Sequence, residues 1–482
     1  MKKKFLYWLL LVPAFFAGCG KDFLVRPPLN QISEESYWKN EQDAEYAVNA
    51  IYDALQMDLG YRLGLLMFGD VAGDDMNCFD PNWFVKMDNF TVTTDDLQVE
   101  ASWRAWWAGV ARANSVIQRV PAIEMNQEKK ERLINEAHFL RAVCYFNIVN
   151  IWGDAPLILK ELDQAALMSV KRDPKETIWA QIEADFKAAE ALPASYPSTE
   201  AGRATRGAAK AFLARSYLYQ GKFAEAAAKS KEVIDMGIYH LHDAYIKNFQ
   251  TAYENSVESV FEIQFVAGTG GWGPNEGNWM PSYTGPPGPY VASGAWGIIV
   301  PEMNHANIYE PNDKRRAVNI FEAGSVYNGV PYDPTWSTTG TSLAKYIVGD
   351  PPVKTEGYID GARNAPVIRY AEVLLIYAEA LNETNQTAAA APYLDSIRVR
   401  AGLNPLPALG KDAFRNAVLQ ERRIEFFGEG QRFFDLRRTG KASEFIKIKA
   451  NKVNYTEPKH LYFPVPQSEI DLNRNLSQNK DY

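Results

Sequence analysis

The chain has 482 residues and a formal net charge of −8, with 46% hydrophobic and 13% aromatic residues. That length holds two or three ordinary domains or one large helical one. The acidic balance, with no basic cluster beyond the first four residues, argues against nucleic acid as a partner. Five histidines leave little raw material for metal or triad catalysis.

Lys2, Lys3 and Lys4 precede an apolar run over residues 5–16, which closes on Ala17, Gly18 and Cys19. Such a run spans about 18 Å as a helix at about 1.5 Å per residue, short of a hydrocarbon core of about 30 Å. It reads as a secretion signal over residues 1–18. Cys19 directly after Ala17 and Gly18 resembles a lipobox, which predicts acylation of Cys19 and anchoring through its acyl chains. Phe16 departs from the leucine usual in that motif. Of the other two cysteines, Cys144 lies in a helical apolar pattern and reads as core, whereas Cys78 falls in a polar loop. An oxidising compartment permits a disulfide between them without requiring one.

Residues 41–57 carry Ala44, Ala47, Val48, Ile51, Tyr52 and Leu55 at a period near 3.6, which predicts a helix. A longer amphipathic helix is expected over 128–152. A third is expected over 174–191, with Pro174 at its start. Residues 205–236 place Ala214, Tyr217, Gly221, Phe223 and Ala226 at the spacings of a tetratricopeptide hairpin. The small residues let two helices approach, the aromatics fill the gaps and Gly221 makes the turn. A second hairpin is expected over 366–400. One hairpin cannot bury its own apolar face, so the helices should stack into a solenoid-like layer. Residues 259–266 alternate and read as a strand. From 268 to 352 Gly, Pro, Trp and Tyr recur and helical periodicity fades, the signature of a loop-rich insert. The polar tail, 461–482, reads as an ordered extension against the surface.

These stretches resemble the SusD/RagB family of outer-membrane nutrient-binding lipoproteins. Residues 136–157 are similar to its helix ending in an aromatic-Gly-Asp-x-Pro-Leu turn, and 205–235 to its central hairpin. Residues 367–383 and 397–403 are close to its later helices, and 420–440 and 461–478 to its C-terminal signatures. The resemblance implies a mainly α fold of tetratricopeptide-like hairpins with a loop-rich insert containing short strands. It implies one SusD-like domain over 19–482: a helical part to residue 260, an insert over 261–352, and C-terminal helices and tail from 353. It also implies a cell-surface lipoprotein that captures oligosaccharide or polysaccharide and delivers it to a SusC-like TonB-dependent transporter. Two alternatives stand beside this, a peptide-binding lipoprotein of the same family and a tetratricopeptide scaffold in envelope assembly.

Charged motifs read as structural. Arg422, Arg423, Glu425, Glu429, Arg432 and Asp435 alternate with Phe426, Phe427, Phe433 and Phe434, as expected of ion pairs pinned beside an aromatic core. Gly268, Gly270 and Gly273 fit a dinucleotide-loop spacing, but Pro274 follows where a helix should begin. Asp471, Asn473 and Asn475 lack the later ligands of a calcium loop and read as turn chemistry. Asp74, Asp75, Asp80, Asp95 and Asp96 are better suited to sugar hydroxyls or solvation than to glycoside hydrolysis, which needs two carboxylates about 5–9 Å apart across a cleft. No catalytic residue, cofactor or metal is expected.

The aromatics carry the binding expectation. Trp272, Trp279, Tyr283, Tyr290, Trp296, Tyr327, Tyr332 and Trp336 fall in Gly/Pro-rich loops, and Trp83 and Phe84 in an earlier one. Aromatic faces cover the apolar C–H faces of sugars, while Asp, Asn or Arg serve the hydroxyl edges. Asp75, Asn77, Trp83, Trp272, Trp279, Tyr283, Trp296 and Trp336 are the candidate ligand contacts. The competing reading is that these aromatics form the insert's own small core. Trp103, Trp106 and Trp107 sit on a predicted helix and read as core.

Overall fold

Asn40 starts the first long helix, α1 (Glu41–Leu55). Its side chain accepts from the N–H groups of Gln42 and Asp43, and Asp43 reaches back to the Asn40 N–H, a reciprocal cap. The computed structural model describes residues 37–80, 84–268, 276–287, 295–350 and 360–482. Asp96 caps α2 (Leu97–Arg119), and Asn126 caps α3 (Gln127–Trp152). Pro174 precedes α4 (Lys175–Ala189). The first three helices pack on one another, and α4 packs on α3. No helix among the described residues is long and apolar enough to cross a membrane.

The expected hairpin is α5 (Arg206–Tyr219) and α6 (Phe223–Asp235). Ala214 and Ala226 are fully buried where the helices meet. Gly221 turns the chain at φ +71°, a left-handed conformation that costs other residues about 1 kcal/mol or more. Strand β1 (Met76–Cys78) is far from this hairpin in sequence. β2 (Ser259–Ile263) ends earlier than the predicted strand, and its antiparallel partner is Ala365–Arg369. The second hairpin therefore begins as a strand and becomes helical at α7 (Tyr370–Glu383), followed by α8 (Thr387–Arg400). Phe139, Phe186, Phe212 and Phe261 meet ring to ring at centroid separations of 5.0–6.0 Å, locking α3, α4, α5 and β2 together. Such pairs contribute about 0.5–1.5 kcal/mol each beyond area burial.

α9 (Lys411–Glu425) and α10 (Arg432–Arg438) carry the charged C-terminal motif into the interior. Arg369 donates to Glu258 at 3.0 Å, to Glu425 at 2.8 Å and to Glu429 at 2.8 Å. Arg400 spans Glu258 and Glu425, and Arg315 reaches Glu425 at 3.2 Å. Burial alone would raise the Glu425 carboxyl, but Arg400, Arg369 and Arg315 hold it far below the usual carboxylate range. The motif is thus a buried ion-pair network, as its alternation with phenylalanine predicts.

Two expectations need correction. Cys78 does not lie in a polar loop. It is buried in β1, and Cys78 and Cys144 are both free and buried. The tail is not confined to the surface. Phe463 and Val465 enter the main core, Phe463 donates to the Ile151 carbonyl at 2.9 Å, and the Trp152 indole donates to the Pro464 carbonyl at 3.0 Å. Gly153 follows at φ +74°, and a Cβ there would fall 3.2 Å from the Tyr462 ring. The Asn475 N–H donates to the Asn473 side-chain oxygen at 3.0 Å, the turn-type role expected of it, and Asn473 also donates to the distant Val170 carbonyl at 2.8 Å.

Candidate functional site

β1 pairs antiparallel with Ile299–Pro301, with Cys78 opposite Ile299, and the ladder runs on as Phe79 donates to the Ile298 carbonyl at 3.2 Å. This pairing carries the chain leaving Asp80 and the chain arriving at Trp296 to one edge. The Trp296 N–H donates to the Ser282 carbonyl at 2.7 Å, which adds the short helix Met280–Thr284. An isolated bridge between Asn278 and Gly361, and the Gly268 N–H on Asp360 at 2.7 Å, bring in two more segments. Residues far apart in sequence therefore converge on one rim.

Aromatic rings fill it. Trp279 stacks on Tyr283 at 6.2 Å, Tyr283 meets Trp296 edge-on at 4.9 Å, and Phe84 meets Tyr283 at 6.0 Å. The Arg62 guanidinium lies 5.3 Å from the Trp279 ring and 5.9 Å from the Phe265 ring, and pairs with Asp58 at 3.0 Å. Burial raises the Asp58 carboxyl and the Tyr283 phenol and lowers the Arg62 guanidinium.

A cleft of about 390 Å³ adjoins the rim through Glu276, whose charge acts on Arg62. Its polar lining includes Asn49, Asp53, Gln56, Glu200, Gln264 and Glu276, together with the guanidinium-bearing Arg203. Its floor is tied across, because Gln56 donates to the Gln264 carbonyl. Carboxylates and amides of this kind accept from and donate to hydroxyls.

The sequence-selected residues do not all come together. Trp279, Tyr283 and Trp296 come together, but Trp279 and Tyr283 are 5% and 4% exposed and serve as packed support, while Trp296 is half-buried. Trp336 belongs to a neighbouring cluster with Phe321 and Tyr332, which joins the first through Ala295, the residue before Trp296. Asp75 is a correction. It is 1% exposed and held by Arg423 at 2.7 Å, by His305 at 3.1 Å and by Arg432 at 3.3 Å, so its oxygens are spent on ion pairs rather than on a surface hydroxyl. Asp74 is likewise taken by Arg432. Asn77 is half-buried on β1 and hydrogen-bonds Glu302. Cys19, Trp83, Trp272 and Tyr290 lie outside the described residues.

Arg62, Asp58, Gln56 and Gln264 were not selected by sequence reasoning. Arg62 and Asp58 sit in a short helical stretch whose one aromatic, Tyr61, is buried in the main core, and Gln264 follows a strand. Trp103 and Trp106 are buried as expected and Trp107 half-buried. A larger groove of about 970 Å³ runs along α2 between residues 156–170 and the tail helix Gln467–Leu472, floored by Trp103, Trp107 and Leu167, and none of the selected contacts lines it. Among the described residues no group of His, Cys, Asp or Glu is arranged to hold a metal ion.

Tetratricopeptide-type hairpins bearing an aromatic rim define a helical-repeat scaffold. The sequence profile of the SusD family matches residues 257–482, and that of a family described as starch-binding associating with outer membrane matches 33–218. A SusD-like protein of Formosa agariphila is 26% identical, with 94% of each chain covered. A solved structure titled laminarin binding SusD-like protein is 29% identical with a TM-score of 0.81, covering 92% of this chain and 100% of that one. A surface glycan-binding protein A from Bacteroides fluxus is 25% identical with a TM-score of 0.79, covering 92% and 100%. The chain belongs to the SusD/RagB family.

Proposed function

We propose that this protein is an outer-membrane lipoprotein, anchored at the cell surface through Cys19, that binds oligosaccharide or polysaccharide without chemical change and passes it to a SusC-like TonB-dependent transporter. The observation that carries the binding claim is the half-buried Trp296, backed by the buried rings of Tyr283, Trp279 and Phe84, on a rim beside a cleft lined with amides and carboxylates. Aromatic faces next to hydroxyl-matching groups are what a sugar ring requires. The likeness to a laminarin-binding SusD-like protein at 29% identity supports the same reading. A non-catalytic role is supported by the buried ion pairs of Asp74 and Asp75, which remove two carboxylates from any cleft.

Isothermal titration calorimetry of the mature chain against a panel of oligosaccharides tests the binding claim. Saturable binding with unaltered sugar recovered afterwards is the expected result. Binding of peptides but of no glycan would overturn it. The transporter claim is tested by co-purification of the two proteins from outer membranes, and recovery of this protein alone would count against it.

A further inference from the structure

The groove along α2 shares no lining residue with the aromatic rim or with the cleft beside it. Its volume, about 970 Å³, lies at the upper end of the range for sites that hold a small ligand. Its floor is a pair of indoles one helical turn apart. Trp107 is half-buried, and Trp103, 4% exposed, backs it at 5.5 Å between ring centroids. Ala108, Ala111 and Ser115 continue the same face with short side chains, which leaves room above the helix.

The sides of the groove hold apolar side chains that the fold leaves uncovered. The short helices Gln164–Leu167 and Gln467–Leu472, one on each side, bury no residue of their own. Leu167, Met168 and Leu472 are 44%, 42% and 63% exposed. Exposed apolar side chains gathered around a groove mark a binding surface. These sides are also fixed in place. The Tyr145 hydroxyl donates to the Ile158 carbonyl at 2.8 Å, Asn114 donates to the same carbonyl at 2.9 Å, and Asn473 donates to the Val170 carbonyl at 2.8 Å. A preformed groove loses little affinity to ordering itself.

Polar groups are interleaved with the apolar ones. Gln118, Arg119 and Glu161 form one array, in which the Arg119 guanidinium donates to Glu161 at 2.8 Å and the Gln118 amide oxygen accepts from the Glu161 N–H at 3.2 Å. Lys160, Asp163 and Gln164 are exposed beside it, and Glu469 lines the opposite side. A carboxylate offers about four lone-pair sites, so one that is paired still accepts from a ligand. A purely apolar occupant would strip water from this array without replacing its hydrogen bonds. Sugar hydroxyls replace them, while sugar C–H faces cover the indole and the leucines. We propose that this groove is a second glycan site, which takes an oligosaccharide segment with Trp107 as its stacking contact and Gln118, Glu161 and Gln164 as its hydroxyl partners. It does not depend on the reading of the rim.

The test is affinity electrophoresis of the mature chain in gels containing laminarin, starch, xylan or mannan. The wild type is compared with Trp296→Ala at the rim and with two groove variants, Trp107→Ala and the paired change Gln118→Ala with Gln164→Ala. At least one polysaccharide should retard the wild type, and each groove variant should weaken that retardation at least threefold. Both glutamines are exposed, so the paired change should leave the melting temperature where it is. Trp296→Ala alone should leave some retardation, which adding Trp107→Ala abolishes. Retardation untouched by the paired change, the behaviour of a groove made for an apolar peptide, overturns the proposal and leaves the rim standing. Retardation wholly lost in Trp296→Ala alone overturns it as well. Loss in the groove variants with none in Trp296→Ala keeps the groove and removes the rim. Failure of every polysaccharide to retard the wild type removes both.

Discussion

The backbone N–H of Trp296 donates to the carbonyl of Ser282 at 2.7 Å, and through that bond the half-buried Trp296 is held edge-on to the buried Tyr283 ring. One tryptophan at this rim is half-buried while its buried neighbours hold it in place. The consequences of removing each differ in kind.

Trp296→Ala should weaken oligosaccharide binding about five- to thirtyfold, since an aromatic contact contributes about 1–2 kcal/mol. Melting temperature should move little, because Trp296 is only partly buried. Calorimetric titration beside a thermal melt checks both, and unchanged affinity would remove Trp296 from the site.

Trp279→Ala should show the opposite balance. The ring is 5% exposed and packed against Tyr283 and Arg62, so its loss leaves a cavity costing about 3–5 kcal/mol. Denaturant titration should show the loss directly, with affinity falling only as a secondary effect of the displaced Tyr283.

Glu425→Ala should be among the most damaging single changes. Arg315, Arg369 and Arg400 would lose a shared buried carboxylate, and unpairing a buried charge costs about 3–5 kcal/mol. A shift of the urea midpoint close to that of a neutral surface substitution would contradict the network's role.

Acid sensitivity follows from Asp435. Burial would raise its carboxyl, but Arg422 and Arg438 hold it down to about 2 against an ordinary 3.8. A depressed carboxylate contributes stability that is complete above its ordinary value and is lost as pH falls toward the folded value. Its share should therefore disappear between about pH 4 and pH 2. Asp435→Asn should be less stable at pH 7 yet show a shallower loss of stability over that acid range. Denaturation midpoints at pH 7, 4 and 3 distinguish the two slopes.

Gly153→Ala should cost about 1–2 kcal/mol from its left-handed backbone alone, with crowding against Tyr462 added. Tyr462→Ala in the same background should relieve the crowding but not the backbone part, which a double-mutant cycle separates.

α1 and α4 were legible because each buries one stripe, which a period near 3.6 marks, whereas the second half of α3 is buried on every side. Gly221, Ala214 and Ala226 marked the hairpin because a tight turn and a close approach each demand particular residues. Asp75 and Cys78 were misread for a shared reason. Their surroundings in sequence are polar, whereas the groups that bury them, Arg423 and Ile299, lie hundreds of residues away. Arg62 was missed because its stacking partner Trp279 comes from a distant segment. The rim is assembled by non-local pairing, and local composition shows its aromatic content but not which rings face outward.

The threading of residues 463–479 through the base of α3 has a consequence for the order in which the fold can form. Phe463 meets Phe68 at 4.7 Å, the Trp152 indole waits on the Pro464 carbonyl, and Arg172 donates to the Ser477 carbonyl at 3.0 Å. Segments 305 and 312 residues apart are thus required in one core. The early helices can collapse together, but their packing around Trp152 stays open until residues 463–479 have left the ribosome. The closing contacts have very high sequence separation, a feature associated with slow folding. Truncation before residue 463 should therefore leave a protein with helices but an unsealed interior.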